Sequence, residues 1–107
     1  MAAYLEARGA VILERRWRCR YGELDLIAEH VGTLCLIEVK LRKNDRYAAA
    51  REFVTPAKQK KLRLTAEHYL MEHASDLQPR FDVAEIYAPQ GTETKRPRII
   101  YWENAFY

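Results

Sequence analysis

A long helix is predicted where apolar residues recur at helical spacing in the second half of the chain. Thr55 and Pro56 form a helix start, because threonine is a favoured N-cap and proline is tolerated in the first turn. The helix is predicted to continue to about His73. Its apolar face is formed by Leu62, Ala66, Tyr69 and Leu70, at positions i, i+4, i+7 and i+8.

Most other segments have the pattern of strands or loops, with one short helix at the start. Residues 2–8 are predicted to be the last turns of a helix that ends at Gly9, so the first helix is expected to be truncated at the N-terminus. Residues 41–53 are predicted to form a polar loop with a helical turn near 48–52. Strands are predicted over 10–21, 23–29, 34–40, 80–87 and 98–103.

The order of elements is helix, three strands, helix, two strands, and it indicates a fold class. Strands in groups flanked by helices favour an α/β fold, with a mixed β-sheet covered by α-helices. A chain of 107 residues has room for one domain with one core, so we predict a single domain over 1–107.

The second and third strands are predicted to form a hairpin, with Gly32 supplying a positive φ in the turn. A turn centred on Val31 and Gly32 places Glu29 opposite Leu34. The same register places Asp25 opposite Glu38, and Glu23 opposite Lys40. The carboxylates of Asp25 and Glu38 and the ammonium group of Lys40 would then converge at one end of the hairpin, with the Glu23 carboxylate beside them.

This acidic hairpin is the strongest candidate for a chemical site. Carboxylates directly opposed across a ladder repel each other, and a hard cation such as Mg²⁺ removes that cost. Lys40 lies two residues after Glu38 and therefore on the same strand face, where it could orient water or stabilise a phosphate. The alternative is an ion pair on an exposed strand with no further role. The apolar run 34–37 favours the metal site, because it indicates a covered strand with a charged end.

Charge and composition add a partner class and a location. The net charge is +3, and basic residues cluster near 15–20, 40–43 and 58–63, which could contact a phosphate backbone or form solvated faces. Cys19 and Cys35 are expected to be free thiols, and no zinc-ligand spacing occurs. No stretch approaches the ~20 apolar residues of a membrane helix, and no secretory signal is visible. We therefore expect a cytoplasmic protein that does not bind membranes.

The residues of the hairpin resemble a known group of enzymes. GELDLIA at 22–28 followed by LIEVK at 36–40 resembles the PD-(D/E)XK nuclease superfamily, and more narrowly the YraN-type family of uncharacterised bacterial proteins. The likeness includes Lys58 and Gln59 at the start of the long helix and RFDV at 80–83. It implies a restriction-endonuclease-like fold, related to that of Holliday-junction resolvases.

The resemblance also implies roles for individual residues. Asp25 and Glu38 would bind Mg²⁺ or Mn²⁺ together with the backbone carbonyl of Val39, and Lys40 would be the catalytic lysine. Glu23 would support the site, together with Gln59 or the neighbouring Lys58 at the start of the long helix. Candidate nucleic-acid contacts are Arg18, Arg20, Arg42, Lys43, Lys58 and Lys61. One feature of the family is missing, since members usually carry an acidic residue in the first helix before the position of Tyr4.

Three functions remain open from the sequence. The first is a metal-dependent endonuclease that hydrolyses phosphodiester bonds in DNA, with branched DNA as one substrate and a homodimer expected by analogy with resolvases. The second is a non-catalytic nucleic-acid-binding module on a nuclease scaffold. The third is an assembly domain that uses C-terminal aromatic residues. Tyr47 is a candidate for base stacking, and Asp82 is either a support for the site or a structural carboxylate.

Overall fold

The described chain forms two helices and five strands in the predicted order. The computed structural model describes residues 1–42, 55–88 and 97–106, so Lys43, Tyr47 and the predicted helical turn at 48–52 lie outside the described residues. The elements are α1 (Ala2–Glu6), β1 (Val11–Cys19), β2 (Gly22–His30), β3 (Thr33–Arg42), α2 (Pro56–Glu72), β4 (Gln78–Tyr87) and β5 (Arg98–Phe106).

The five strands form one mixed sheet in the order β1-β2-β3-β4-β5. Three of the four pairings are antiparallel, and β3 pairs with β4 in parallel. Parallel neighbours need a crossover connection, and α2 lies in the segment between these two strands. The predicted α/β class with a mixed sheet is therefore confirmed.

Each face of the sheet is covered by one helix, and β3 shows the division. Leu34 and Leu36 belong to the core that includes α2, whereas Cys35 and Ile37 belong to the core that includes α1. Alternate side chains of a strand point to opposite faces, so β3 is buried on both sides. Each fully buried Leu or Ile contributes about 1.5–3 kcal/mol. No described helix is long and apolar enough to cross a bilayer.

The start of α2 is as predicted and fixes the orientation of its first turn. Thr55 is the N-cap, and its Oγ1 accepts a hydrogen bond of 3.2 Å from the backbone N–H of Lys58. Pro56 occupies the first turn. The cap therefore holds Lys58 at the end of the helix that faces the ends of the strands.

The predicted hairpin turn between β2 and β3 is confirmed. Val31 and Gly32 have φ values of 47° and 72°, and His30 pairs with Thr33. A two-residue loop with both φ angles positive is the favoured hairpin connection. It sets the predicted register, in which Glu29 pairs with Leu34.

A hydrogen-bonded carboxylate lies within the core on the α1 side. Asp82 is fully buried and accepts hydrogen bonds from Arg80 at 2.8 and 3.0 Å, from the Tyr101 hydroxyl at 2.6 Å and from the Asn104 backbone N–H at 2.9 Å. These contacts join β4 to β5. Asp82 is therefore a structural carboxylate, one of the two alternatives that the sequence left open.

Asp82→Ala is expected to lower the free energy of unfolding by about 3–5 kcal/mol, because it leaves the Arg80 charge without its buried partner. Urea unfolding measures the loss. Asp76→Ala is the control, since Asp76 is exposed in the loop before β4 and its replacement should change stability by no more than about 0.5 kcal/mol. Equal effects of the two replacements would contradict the structural role.

Candidate functional site

The sheet is irregular at Asp25. The β2–β3 ladder runs from His30–Thr33 to Leu26–Ile37 and ends there. On the other side of β2, Arg15 of β1 pairs with Leu26 and Trp17 pairs with Leu24, whereas Arg16 and Asp25 between them are not paired. Arg16 has a positive φ of 49°, as in a local irregularity of a strand. The predicted pairings of Asp25 with Glu38 and of Glu23 with Lys40 are therefore wrong. Glu23 pairs instead with Arg18 on β1.

The core residues of β2 explain why the ladder ends. Leu24 and Ile27 both pack in the core with α2, although they are three residues apart, whereas Leu26 and Ala28 pack in the core with α1. A regular strand would alternate with a period of two. The alternation of side chains is interrupted at Asp25, between Leu24 and Leu26, where β2 stops pairing with β3.

The Asp25 side chain replaces the missing backbone partner. Its Oδ2 accepts a hydrogen bond of 2.7 Å from the backbone N–H of Val39. The N–H and C=O of one residue in an extended strand point to the same side, so we expect the Val39 carbonyl to point toward Asp25 as well. The Asp25 carboxylate, a predicted metal ligand, therefore lies at the open end of the β2–β3 pair, and we expect the Val39 carbonyl, the other predicted ligand there, beside it.

Glu38 and two lysines form the second part of the site. Oε1 of Glu38 lies 3.2 Å from Nζ of Lys40 and 3.0 Å from Nζ of Lys58. Lys40 reaches Glu38 because the two side chains share a strand face, and Lys58 reaches it from the first turn of α2. The Glu38 side chain is 14% exposed, so this carboxylate is largely removed from water yet open at one end.

The charges of the site act on one another. Burial raises the pKa of Asp25, the Val39 hydrogen bond opposes the rise, and the carboxylates of Glu38 and Glu23 add to it. Burial lowers the pKa of Lys40, and the neighbouring Lys58 ammonium lowers it further, while Glu38 opposes the shift. Both shifts have physical causes within the site, and ionisable groups of this kind are common at functional sites.

The donor set is suited to a hard cation held partly by water and substrate. The described residues contain no group of three or more His, Cys, Asp or Glu side chains that could hold a metal. Mg²⁺ is commonly bound through one or two carboxylates, with water and phosphate oxygens completing its shell. Asp25, Glu38 and the Val39 carbonyl are the oxygen donors that could form such a smaller set.

A shallow cleft of about 540 Å³ lies beside Asp25, and cations line it. Arg15 and Arg16 contribute to its wall together with Val39. Sequence reasoning placed Arg15 and Arg16 in a basic cluster but did not connect them to the site, because the irregularity at Arg16 has no clear sequence pattern.

The other predicted residues are distributed around the site. Arg18 is an ion-pair partner of Glu23 at 3.2 Å, and Arg20 donates to the Tyr21 hydroxyl at 2.6 Å. Gln59 accepts a hydrogen bond from Arg63 at 3.4 Å, within α2. Lys61 lies on the exposed side of α2, the backbone of Arg42 is in β3, and the Arg42 side chain and Lys43 lie outside the described part of the chain.

Two further side chains, Lys58 and Glu85, lie near the site, and only Glu85 was given no place there from the sequence. Lys58, which the resemblance gives as an alternative to Gln59 for a supporting residue, contacts Glu38, and its contact with nucleic acid stays a prediction. Its position three residues after the N-cap Thr55 could have indicated the contact with Glu38 from the sequence. The first turn of a helix that connects two parallel strands lies near the end of the first of these strands, here β3. Glu85 is fully buried, lies in register with Lys40, and accepts hydrogen bonds from the Tyr87 hydroxyl and Trp102 Nε1.

Comparison with known proteins identifies relatives along most of the chain. The sequence profile of the uncharacterised protein family UPF0102 matches residues 1–86. A UPF0102 protein of Nitrosomonas europaea is 42% identical over 105 residues, covering 98% of this chain and 85% of the relative. UPF0102 proteins of Nitrosococcus oceani and Clavibacter michiganensis are 39% and 42% identical, covering 96% and 84% of this chain and 82% and 77% of the relatives. The predicted YraN-type family is confirmed, and the nuclease superfamily stays a prediction.

Asp25→Asn is expected to make the metal-free protein more stable than wild type at pH 7, by a few tenths to about 1 kcal/mol, because it removes the repulsion by Glu38 and Glu23. Asparagine retains an oxygen for the Val39 N–H. The folded-state pKa of Asp25 is raised above its ordinary value of 3.8. The ionisation of Asp25 therefore does not lower the free energy of unfolding of the wild-type protein at pH values below 3.8. As the pH rises through the raised pKa, this ionisation lowers the free energy of unfolding.

Asp25→Asn should therefore be more stable than wild type at pH values above the raised pKa of Asp25, and the difference should vanish at pH values below 3.8. Urea unfolding in the presence of a chelator, at pH values from about 3.5 to 7, measures this dependence. A variant that is less stable than wild type at pH 7 would show that Asp25 serves the fold alone.

Proposed function

We propose that this chain, which belongs to the uncharacterised protein family UPF0102, is a divalent-metal-dependent endonuclease of restriction-endonuclease-like fold that hydrolyses phosphodiester bonds in DNA. The observation that carries the proposal is the placement of Asp25 and Glu38 at the open end of the β2–β3 pair, with Lys40 and Lys58 in contact with Glu38. A purely structural cross-strand pair would not leave two mutually repelling carboxylates there.

Asp25, Glu38 and the Val39 carbonyl would hold Mg²⁺ or Mn²⁺. Both lysines contact Oε1 of Glu38, so Oε2 is the oxygen that we expect to bind the cation. When bound, such a cation polarises a phosphoryl oxygen and lowers the pKa of water. The Val39 hydrogen bond fixes the Asp25 carboxylate in place for this purpose.

Lys40 is the residue that we propose for proton transfer or charge stabilisation at the phosphate. Burial and the neighbouring Lys58 lower its pKa below the ordinary value of a lysine. Lys58 is the positioning residue, because it contacts Glu38 from a separate element and reduces the negative charge that Lys40 experiences. The two ammonium groups thus have different tasks.

Basic residues that could contact a phosphate backbone lie on both faces of the sheet. Arg15 and Arg16 line the cleft at Asp25 on the α1 side. On the α2 side, Tyr21 packs on His68, with Arg20 stacked over the Tyr21 ring. His68 lies ten residues along α2 from Lys58, about 15 Å at the helical rise, which is the length of a few nucleotides. DNA in a branched form and a homodimer belong to this proposal by analogy with resolvases.

A non-catalytic nucleic-acid-binding module is the second candidate, and one contact favours it. Lys40 and Lys58 already neutralise the charge of Glu38 without a metal ion. A scaffold that had lost its metal could retain such a site as an ion-pair cluster. The two candidates differ in whether a divalent cation binds.

Calorimetric titration of Mg²⁺ and Mn²⁺ into the wild-type chain, Asp25→Ala and Glu38→Ala tests the metal site. We expect binding to wild type and its loss in both variants, because each removes one of two carboxylate ligands. Glu29→Ala is the matched control, since Glu29 is an exposed glutamate of β2 at the far end of the ladder. If wild type binds neither ion, with DNA absent and then present, the binding module is the correct function.

Lys40→Ala is expected to reduce cleavage of linear or branched DNA by about 100-fold or more while metal binding persists, because it removes proton transfer or charge stabilisation and leaves the ligands intact. Single-turnover cleavage with Mg²⁺ or Mn²⁺ measures the rate. Lys60→Ala is the control, as Lys60 is an exposed lysine two residues after Lys58. Equal rates for wild type and Lys40→Ala would remove the catalytic role.

A further inference from the structure

A second cavity lies on the α1 face of the sheet, separate from the carboxylates and lysines of the candidate metal centre. It has a volume of about 260 Å³. Its described lining combines two arginines, two tyrosines and a histidine with small apolar residues at its base. The residues central to the argument are Tyr4, Arg8, His30, Arg80, Tyr101 and Glu103.

Arg80 is held rigidly with one edge toward this cavity. Its Nε and Nη2 donate to Asp82, which is fully buried. Its Nη1 lies 3.7 Å from Glu103, whose side chain is 65% exposed. A buried carboxylate therefore fixes the guanidinium, while its outer nitrogen faces a weakly held, solvent-exposed partner that an incoming anion could replace.

Arg8 supplies a second cation at the cavity wall. Its guanidinium lies 3.7 Å from the centroid of the Tyr4 ring, and its backbone carbonyl is 3.0 Å from Nε2 of His30. The arginine is exposed, so its nitrogens can turn toward a ligand. The lining carries the two positive charges of Arg8 and Arg80 and the negative charge of Glu103, while the buried Asp82 behind Arg80 offsets one of the positive charges.

The tyrosines provide flat apolar surfaces at the cavity, and the face of Tyr4 that Arg8 covers becomes available when Arg8 turns toward a ligand. The Tyr4 and Tyr101 ring centroids are 6.5 Å apart, with an interplanar angle of 27°. The Tyr101 ring is fixed because its hydroxyl donates to Asp82 at 2.6 Å. A planar ring could stack on these faces with its anionic group directed at the arginines.

We propose that this cavity binds a small planar aromatic ligand that carries one anionic group. The ring stacks against Tyr4 and Tyr101, and the anion pairs with Arg8 and Arg80 and displaces Glu103. The cavity is slightly smaller than the usual range for drug-sized ligands, which favours a ligand with a single ring. Neither the metal nor cleavage enters this proposal, so it goes beyond the proposed function.

An aromatic carboxylate and a pyrimidine nucleotide share this chemistry, and the experiment separates them. Nicotinate and deoxycytidine 5′-monophosphate are titrated into the full chain with a chelator present, beside acetate and inorganic phosphate as the corresponding anions without a ring. We expect at least one ring-bearing probe to bind about tenfold or more tightly than its counterpart without a ring. The probe that does so identifies the source of the ligand.

Variants locate the binding. Arg8→Gln and Tyr4→Leu should each weaken binding of that probe by about tenfold, whereas Glu103→Gln should tighten it because it removes the group that competes for Arg80. Arg63→Gln is the control for loss of one positive charge, since Arg63 belongs to α2 on the opposite face.

Three outcomes would overturn the proposal: no binding of either ring-bearing probe, equal binding of the anions without a ring, or equal weakening by Arg63→Gln and Arg8→Gln. The tightening by Glu103→Gln guards against a folding artefact, because a damaged fold would not increase affinity. Metal titration and DNA cleavage are separate measurements, so failure here leaves the proposed function untouched.

Discussion

The hydrogen bond from the Val39 N–H to Asp25 is the contact on which the arrangement of the site depends. Where β2 leaves β3, a backbone N–H would lose its ladder partner, and an unsatisfied buried N–H is costly. The Asp25 carboxylate takes the place of that partner. One contact thus ends the pairing without a backbone penalty and places a carboxylate in the electrostatic range of Glu38 and Lys40.

The buried carboxylates of the two faces show how to separate a structural acid from a functional candidate. Asp82 accepts hydrogen bonds from Arg80, Tyr101 and Asn104, and these donors match the capacity of its oxygens. Asp25 accepts a backbone hydrogen bond and faces other carboxylates, and its pKa is raised. A carboxylate that the fold places at an energetic disadvantage requires another reason for its presence, and a cation would supply it.

Much of the fold could be predicted from local pattern, and the geometry of the site could not. The cap at Thr55 and the turn at Gly32 are local features, so α2 and the β2–β3 register followed from them. The irregularity at Asp25 depends on which core accepts Leu24 and Ile27, which is a tertiary constraint. Extending the regular register therefore brought Asp25 and Glu38 together through a pairing that does not form. The Lys58–Glu38 pair likewise required the position of α2 over the strand ends.

The Lys58–Glu38 contact also links substrate binding to metal binding under the proposed function. With no phosphate present, Lys58 and Lys40 both direct their charge at Glu38, which weakens the attraction of that carboxylate for a cation. A phosphate that shares the Lys58 ammonium with Glu38 leaves Glu38 less neutralised while the contact is kept, and the affinity of Glu38 for the cation rises. By linkage, the bound cation would raise the affinity for phosphate by the same factor. The lysine pair would thus hold the site in a neutral state until nucleic acid arrives, which is why metal binding has to be measured with DNA present as well as absent.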